Sequence, residues 1–206
     1  MGYIIAVILG YLLGCSSMAY YLAKWKKADL RSGGSGNLGA SNTTVLLGWR
    51  AGVLVAVHDI GKAFAAVLLA RWLFPDLAYA GAAAGVACVL GHIFPFYLKF
   101  KGGKGLASYF GMTLALDWKL ALLVGAAIVI VTLVTDYIVC GTVTTVVMVP
   151  AYVGLIGHSW LLAGILAIAT VVILCKHTDN YRRIWNGTEF GLRSAIRGDN
   201  RLDKKK

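Results

Sequence analysis

The residues with the densest chemistry lie in Gly91–Ser108, GHIFPFYLKFKGGKGLAS, where Lys99, Lys101, Lys104 and a glycine cluster follow directly on a long apolar run. Glycine takes positive φ angles readily, so Gly102-Gly103-Lys104-Gly105 reads as a turn whose successive N–H groups converge on one point. With the Lys104 ammonium added, that is a phosphate seat. The plainer alternative is a juxtamembrane loop whose lysines touch anionic lipid. It is not a P-loop: the GxxxxGK[ST] spacing is absent and Gly105 follows Lys104.

Two further polar clusters carry donors. Gly33–Asn42, GGSGNLGASN, interleaves Ser35, Asn37, Ser41 and Asn42 with glycines, and no charged residue lies between Ser32 and Arg50. That composition suits close backbone approach to an anion at the start of a helix. Lys176–Glu189, KHTDNYRRIWNGTE, supplies an imidazole, amides, two arginines and a carboxylate. Each cluster also reads as a solvated loop. Taken together they describe a donor-rich, cationic pocket. Metal-ligand spacings, a GxSxG elbow, CxxC pairs and a carboxylate cluster are all missing, so an activated-serine hydrolase or a metal-dependent phosphotransferase is poorly supported. Neither cofactor nor metal is expected.

The elements that must position these clusters are membrane helices. Of 206 residues 59% are hydrophobic and only 14% charged, and the apolar residues fall in runs long enough to cross a bilayer. Met1–Ala23 has no basic residue before its apolar run and no convincing cleavage site after it, so it reads as a retained first helix. The net charge of +11 sits beside the apolar runs with no nucleic-acid-binding module, which points to anionic lipid and anionic substrates as partners. Cys15, Cys88, Cys140 and Cys175 are scattered in apolar segments and read as buried thiols.

The expected architecture is an all-α bundle of seven transmembrane helices with the N-terminus outside and the C-terminus cytoplasmic. Its crossings are Tyr3–Ala23, Val45–Leu73, Ala78–Phe96, Ala107–Leu116, Leu120–Thr135, Ile138–Ile156 and Leu161–Cys175. Seventeen of the twenty Lys and Arg residues then fall at the cytoplasmic side, leaving Lys62 inside a helix and Arg71 and Lys119 outside. Ala107–Leu116 is too short to span a core of ~30 Å alone. Residues 1–190 form one polytopic domain and 191–206 a basic tail, with Arg193, Arg197, Arg201 and Lys204–Lys206 solvated or touching lipid.

GSGNLGASN, GHIFPFYLKFKGGKG and KHTDNYRRIWNGTE resemble, in order and spacing, the three motifs of the PlsY family of bacterial acyl-phosphate:glycerol-3-phosphate acyltransferases. The resemblance covers nearly the whole chain. It implies a seven-helix inner-membrane enzyme that moves a fatty acyl group from acyl phosphate to the 1-hydroxyl of glycerol 3-phosphate, giving lysophosphatidic acid and phosphate without CoA. Gly102, Gly103 and Lys104 would hold a phosphate, with Ser35, Asn37 and Asn42 lining the same pocket. His177 and Asn180 would contact glycerol 3-phosphate or its attacking hydroxyl. Ser35, Lys104 and His177 are the expected catalytic residues, and Gly36, Ser41, His92, Thr142, Arg182 and Glu189 complete the expected substrate-binding set. One position departs: the family's first motif continues to an arginine where this chain has Val45, and Arg50 lies five residues further on. A paralogue with an altered acceptor, or without turnover, fits that departure.

The remaining polar residues have plainer readings. His58 and His158 are structural or interfacial. Asp59 and Lys62 share a helix face as an internal ion pair. Trp25, Trp72, Tyr97 and Trp160 fit an interfacial belt. Glu189 pairs with Arg182 or Arg183. The rival function is an organic-anion transporter, for which internal repeats with broken midplane helices are the usual sign, and no clear repeat is visible. Nothing in the sequence requires more than a monomer.

Overall fold

Ser16 and Ser17 divide the first apolar run into α1 (Gly2–Cys15) and α2 (Met18–Trp25), so the expected continuous first helix is broken. Ser17 Oγ caps α2 by accepting from the Tyr20 N–H at 3.3 Å. A break at membrane depth exposes carbonyls that lipid cannot satisfy. Here Tyr97 Oη donates to the Cys15 carbonyl at 2.9 Å and Lys62 Nζ to the Ser16 carbonyl at 2.7 Å.

The computed structural model describes residues 1–197, with side chains to Ser194, and its elements are all helical. The second crossing starts later than expected: α3 (Ala40–Leu47) ends at Gly48, whose φ is 87°, and α4 (Trp49–Leu73) alone is the span. After α5 (Ala80–Ile93) comes a 3₁₀ turn at Phe96–Leu98. Then follow α6 (Leu106–Leu116), α7 (Trp118–Thr135), α8 (Ile138–Leu155), α9 (Trp160–Lys176), α10 (Thr178–Trp185) and α11 (Leu192–Arg197). Among the described residues five segments are long and apolar enough to cross a membrane; a sixth is counted if α9 and α10, bent by 44°, form one span. The short α6 falls below that length.

α5 is the centre of the bundle, with 72% of its span buried against 22% for α7, which presents Leu122, Ile130 and Val134 outward. Small residues let α1 approach it closely: a Cβ at Gly10 would meet the Ala84 carbonyl at 2.2 Å, and one at Gly14 the Cys88 carbonyl at 2.1 Å. Pro150 interrupts α8 and removes the N–H that the Val146 carbonyl would accept. The Thr170 hydroxyl of α9 donates to that carbonyl at 2.7 Å, which repairs the helix and fixes α8 against α9.

At one end of the bundle Arg71 closes α4 onto α6, donating to the Ala115 carbonyl at 2.7 Å and the Leu116 carbonyl at 3.4 Å. A mainly apolar cavity of about 230 Å³ lies there, lined by Arg71, Asp117, Tyr152, Ser159 and Leu162 among others. Arg193 is exposed and anchored to the bundle. Its N–H donates to Asp136 Oδ1 at 2.7 Å and its guanidinium to the Leu133 carbonyl at 3.2 Å, fastening this segment to the α7–α8 turn. Arg201 and Lys204–Lys206 lie outside the described residues, as does the side chain of Arg197.

Candidate active site

The three polar clusters meet at the end of the bundle opposite Arg71. Leu30 and Leu38 of the first loop pack with Leu98 beneath the second. Above them Arg31 Nη2 donates to the carbonyls of Leu98, at 3.2 Å, and Lys101, at 2.9 Å. The second and third loops are joined by the Lys104 ammonium, which donates to Asn180 Oδ1.

The lysine turn is built differently from a concave amide nest. The Gly102 N–H donates to the Ile93 carbonyl at 3.0 Å and the Gly103 N–H to the His92 carbonyl at 3.1 Å, so both amides expected to face an anion are engaged inside the protein. Gly103 is required for another reason: a Cβ there would fall 2.0 Å from His92 Nε2. Gly105 alone in the turn has a positive φ, 100°, and it starts α6 with no side-chain cap on the first-turn amides. An uncapped helix start carries partial positive charge. Beside Lys104 the uncapped donors are therefore those of the α6 first turn, while the Gly102 and Gly103 amides are bonded to carbonyls.

Lys104 heads a relay of side chains. Asn180 accepts from Lys104 with its oxygen and donates Nδ2–H to Glu189 Oε1 at 2.5 Å. Glu189 Oε2 in turn accepts from Arg183 Nε at 2.6 Å, which selects Arg183 over Arg182 as its partner. The amide orientation of Asn180 is thus imposed from both sides. Burial lowers the pKa of Lys104 from the ordinary lysine value, and Arg183 pushes the same way, while Glu189 opposes them. His177, buried at the α9–α10 bend, places Nδ1 2.8 Å from the Ile173 carbonyl. That contact requires the proton on Nδ1, and burial, which lowers the pKa of His177, favours the neutral ring in which Nε2 is the acceptor.

In the first loop Asn42 is an organiser. Its Oδ1 accepts from the Ser35 N–H at 2.8 Å, and both Nδ2 hydrogens are engaged, by the carbonyls of Leu30 at 2.8 Å and Asn37 at 2.9 Å. Ser35, Gly36 and Ser41 are exposed on this loop, and the buried Asn37 Oδ1 has no partner among the described residues. His92 is buried behind the lysine turn. Thr142 is buried with its hydroxyl donated to the Ile138 carbonyl of its own helix at 2.9 Å, so the pocket-lining role expected of it has no free donor. Arg182 is exposed and only 3.7 Å from Asp179, outside the relay. Val45 is exposed, and the Arg50 guanidinium lies over the Trp49 ring at 5.5 Å instead of joining the cluster. The guanidinium that bridges two loops is that of Arg31, unremarked in sequence because its acceptors are main-chain carbonyls 67 and 70 positions away.

The site is recessed. Gly111 of α6 lies against Ile60 of α4, where a Cβ would come within 2.1 Å of the Ile60 carbonyl. At 1.5 Å per residue, α6 begins roughly 9 Å deeper than α4 does. The lysine turn, which leads into α6, is therefore set back along the bundle from the start of α4.

Residues 4–187 match the family model described as glycerol-3-phosphate acyltransferase. The chain is 34% identical to glycerol-3-phosphate acyltransferase 1 of Oceanobacillus iheyensis, over 95% of this chain and 98% of that protein. It is 40% identical to the glycerol-3-phosphate acyltransferase of Coxiella burnetii, over 92% and 97%. The crystal structure of PlsY (YgiH), an integral membrane glycerol 3-phosphate acyltransferase, in its glycerol 3-phosphate form superposes with a TM-score of 0.89 at 30% identity, covering 97% of this chain and all of that one. The lysophosphatidic acid form of the same enzyme gives 0.84, over 93% and 95%. With the match running through all three polar clusters, the chain belongs to the glycerol-3-phosphate acyltransferase family of PlsY.

Proposed function

We propose that this protein transfers a fatty acyl group from acyl phosphate to the 1-hydroxyl of glycerol 3-phosphate, releasing lysophosphatidic acid and inorganic phosphate. The observation that carries this reading is the Lys104–Asn180–Glu189–Arg183 relay beside His177 and the uncapped start of α6. Both substrates are anions that repel each other, and acyl phosphate is already an activated mixed anhydride. The enzyme's work is then to hold two phosphates together and to stabilise charge on the carbonyl oxygen and the departing phosphate. Lys104 and the α6 first turn suit one phosphate. The exposed Ser35 and Ser41 and the relay's outer donors suit the other.

The glycerol hydroxyl oxygen attacks the acyl carbonyl carbon, the C–O bond to phosphate breaks, and the hydroxyl proton passes to a phosphate oxygen. His177 Nε2 is the acceptor that orients that hydroxyl. The recess of the lysine turn supports delivery of the acyl chain from lipid while glycerol 3-phosphate enters from water. The basic residues around this end support a cytoplasmic orientation in the bacterial inner membrane, with the N-terminus outside and α6 counted as a seventh crossing.

The test is purified protein in mixed micelles with palmitoyl phosphate and labelled glycerol 3-phosphate. Labelled lysophosphatidic acid is the expected product. Movement of glycerol 3-phosphate across a sealed membrane without reaction would instead make it a transporter. A His177→Gln variant that binds both substrates without turnover would move the proton acceptor from phosphate to His177.

A further inference from the structure

Lys62 lies within an apolar helix, where a cation is costly unless its donors are engaged. All three N–H groups have partners: the Ser16 carbonyl at 2.7 Å, Asp59 Oδ1 at 2.8 Å and His92 Nδ1 at 3.0 Å. His92 Nδ1 lies 3.0 Å from Lys62 Nζ and 3.3 Å from Asp59 Oδ1; an ammonium only donates, so the shorter contact assigns Nδ1 as acceptor and the ring proton to Nε2. His58 flanks the group, with Nδ1 3.5 Å from Asp59 Oδ1 and Nε2 3.0 Å from Ser16 Oγ. The opposite edge of the His92 ring fills the space beside Gly103, and the His92 carbonyl accepts the Gly103 N–H at 3.1 Å. His92 therefore holds the lysine turn by ring and main chain together, and Lys62 holds the ring.

We infer that Lys62, clamped by Asp59 and the carbonyl at the α1–α2 break, is a positioning residue for the anion seat. It fixes the His92 imidazole with Nδ1 as acceptor, and His92 sets where the Gly103–Lys104 turn stands. This rests on the acyltransferase reading and adds to it a second layer within the membrane. The intramembrane pair thereby has a task in recognition without moving an ion.

The test compares Lys62→Met with Lys62→Met combined with Asp59→Asn in the full chain. The single variant strands a buried carboxylate and lowers Tm; the double variant has no unpaired charge and is expected to recover most of it. A positioning role predicts that the recovered double variant keeps a KM for glycerol 3-phosphate raised about tenfold or more, with kcat changed less. A double variant with wild-type Tm and wild-type KM overturns the inference. ¹⁵N NMR of histidine-labelled wild-type protein gives a second readout, with the His92 signal assigned through His92→Gln. The Nε2–H tautomer is expected, and an Nδ1–H tautomer overturns the proposal even where the double variant fails to recover Tm. Wild-type protein without acyl transfer would remove the acyltransferase reading, and the tautomer would still decide the network.

Discussion

The two ends of the bundle use cationic side chains in opposite ways. At the outer-read end Arg71 gives its guanidinium to the carbonyls of Ala115 and Leu116, closing one helix onto another. At the other end Lys104 is held by an amide whose orientation is set by Glu189, and the neighbouring helix start has no cap. Arg71 finishes the fold; Lys104 is aimed. The difference teaches that a cation signals function when side chains orient it, and structure when helix-end carbonyls absorb it.

That comparison breaks most visibly at the lysine turn. Gly103→Ala, whose Cβ would fall 2.0 Å from His92 Nε2, and Lys104→Met are each expected to lower kcat/KM about a hundredfold or more in the palmitoyl phosphate assay, about 2.7 kcal/mol. Lys104→Met should leave Tm nearly unchanged. Arg71→Met is expected to do the reverse. Two carbonyls lose a charged donor, which lowers unfolding stability by about 1–3 kcal/mol, while kcat/KM stays within about twofold.

The pH dependence sharpens the contrast further. Lys104 must be protonated to hold phosphate, and burial has lowered its pKa, so the alkaline limb of kcat/KM should set in below the ordinary lysine value. In Lys104→Arg that limb should move upward or vanish, because arginine stays charged. The smallest effects are expected at Arg182→Ala and Thr142→Val. An exposed pair and a hydroxyl bound to its own helix should each cost under about twofold in kcat/KM.

Much of the fold was legible because its causes are local. Apolar runs marked the membrane helices, and basic residues marked one end, where Arg31 ties the first loop to the second and Lys104 ties the second to the third. Breaks inside the runs were not legible. Ser16-Ser17 interrupts a helix only because Tyr97 and Lys62, from other helices, satisfy the carbonyls it frees. The same holds within the site. A glycine-rich turn was read as an amide nest, but the carbonyls of His92 and Ile93 lie within reach and take those amides. Asp59 and Lys62 were visible as a pair three residues apart, whereas the Lys62 contact with His92 joins residues 30 positions apart.

Sidedness tests the central claim most directly. In a cysteine-free background, Ser35→Cys and Ser159→Cys would be probed with a membrane-impermeant thiol reagent in sealed vesicles of both orientations. The account predicts that Ser35→Cys reacts only where the cytoplasmic face is out and is protected by glycerol 3-phosphate. Ser159→Cys should react only from the other face, without protection. Labelling of both positions from one face, or protection of Ser159→Cys instead, would contradict it.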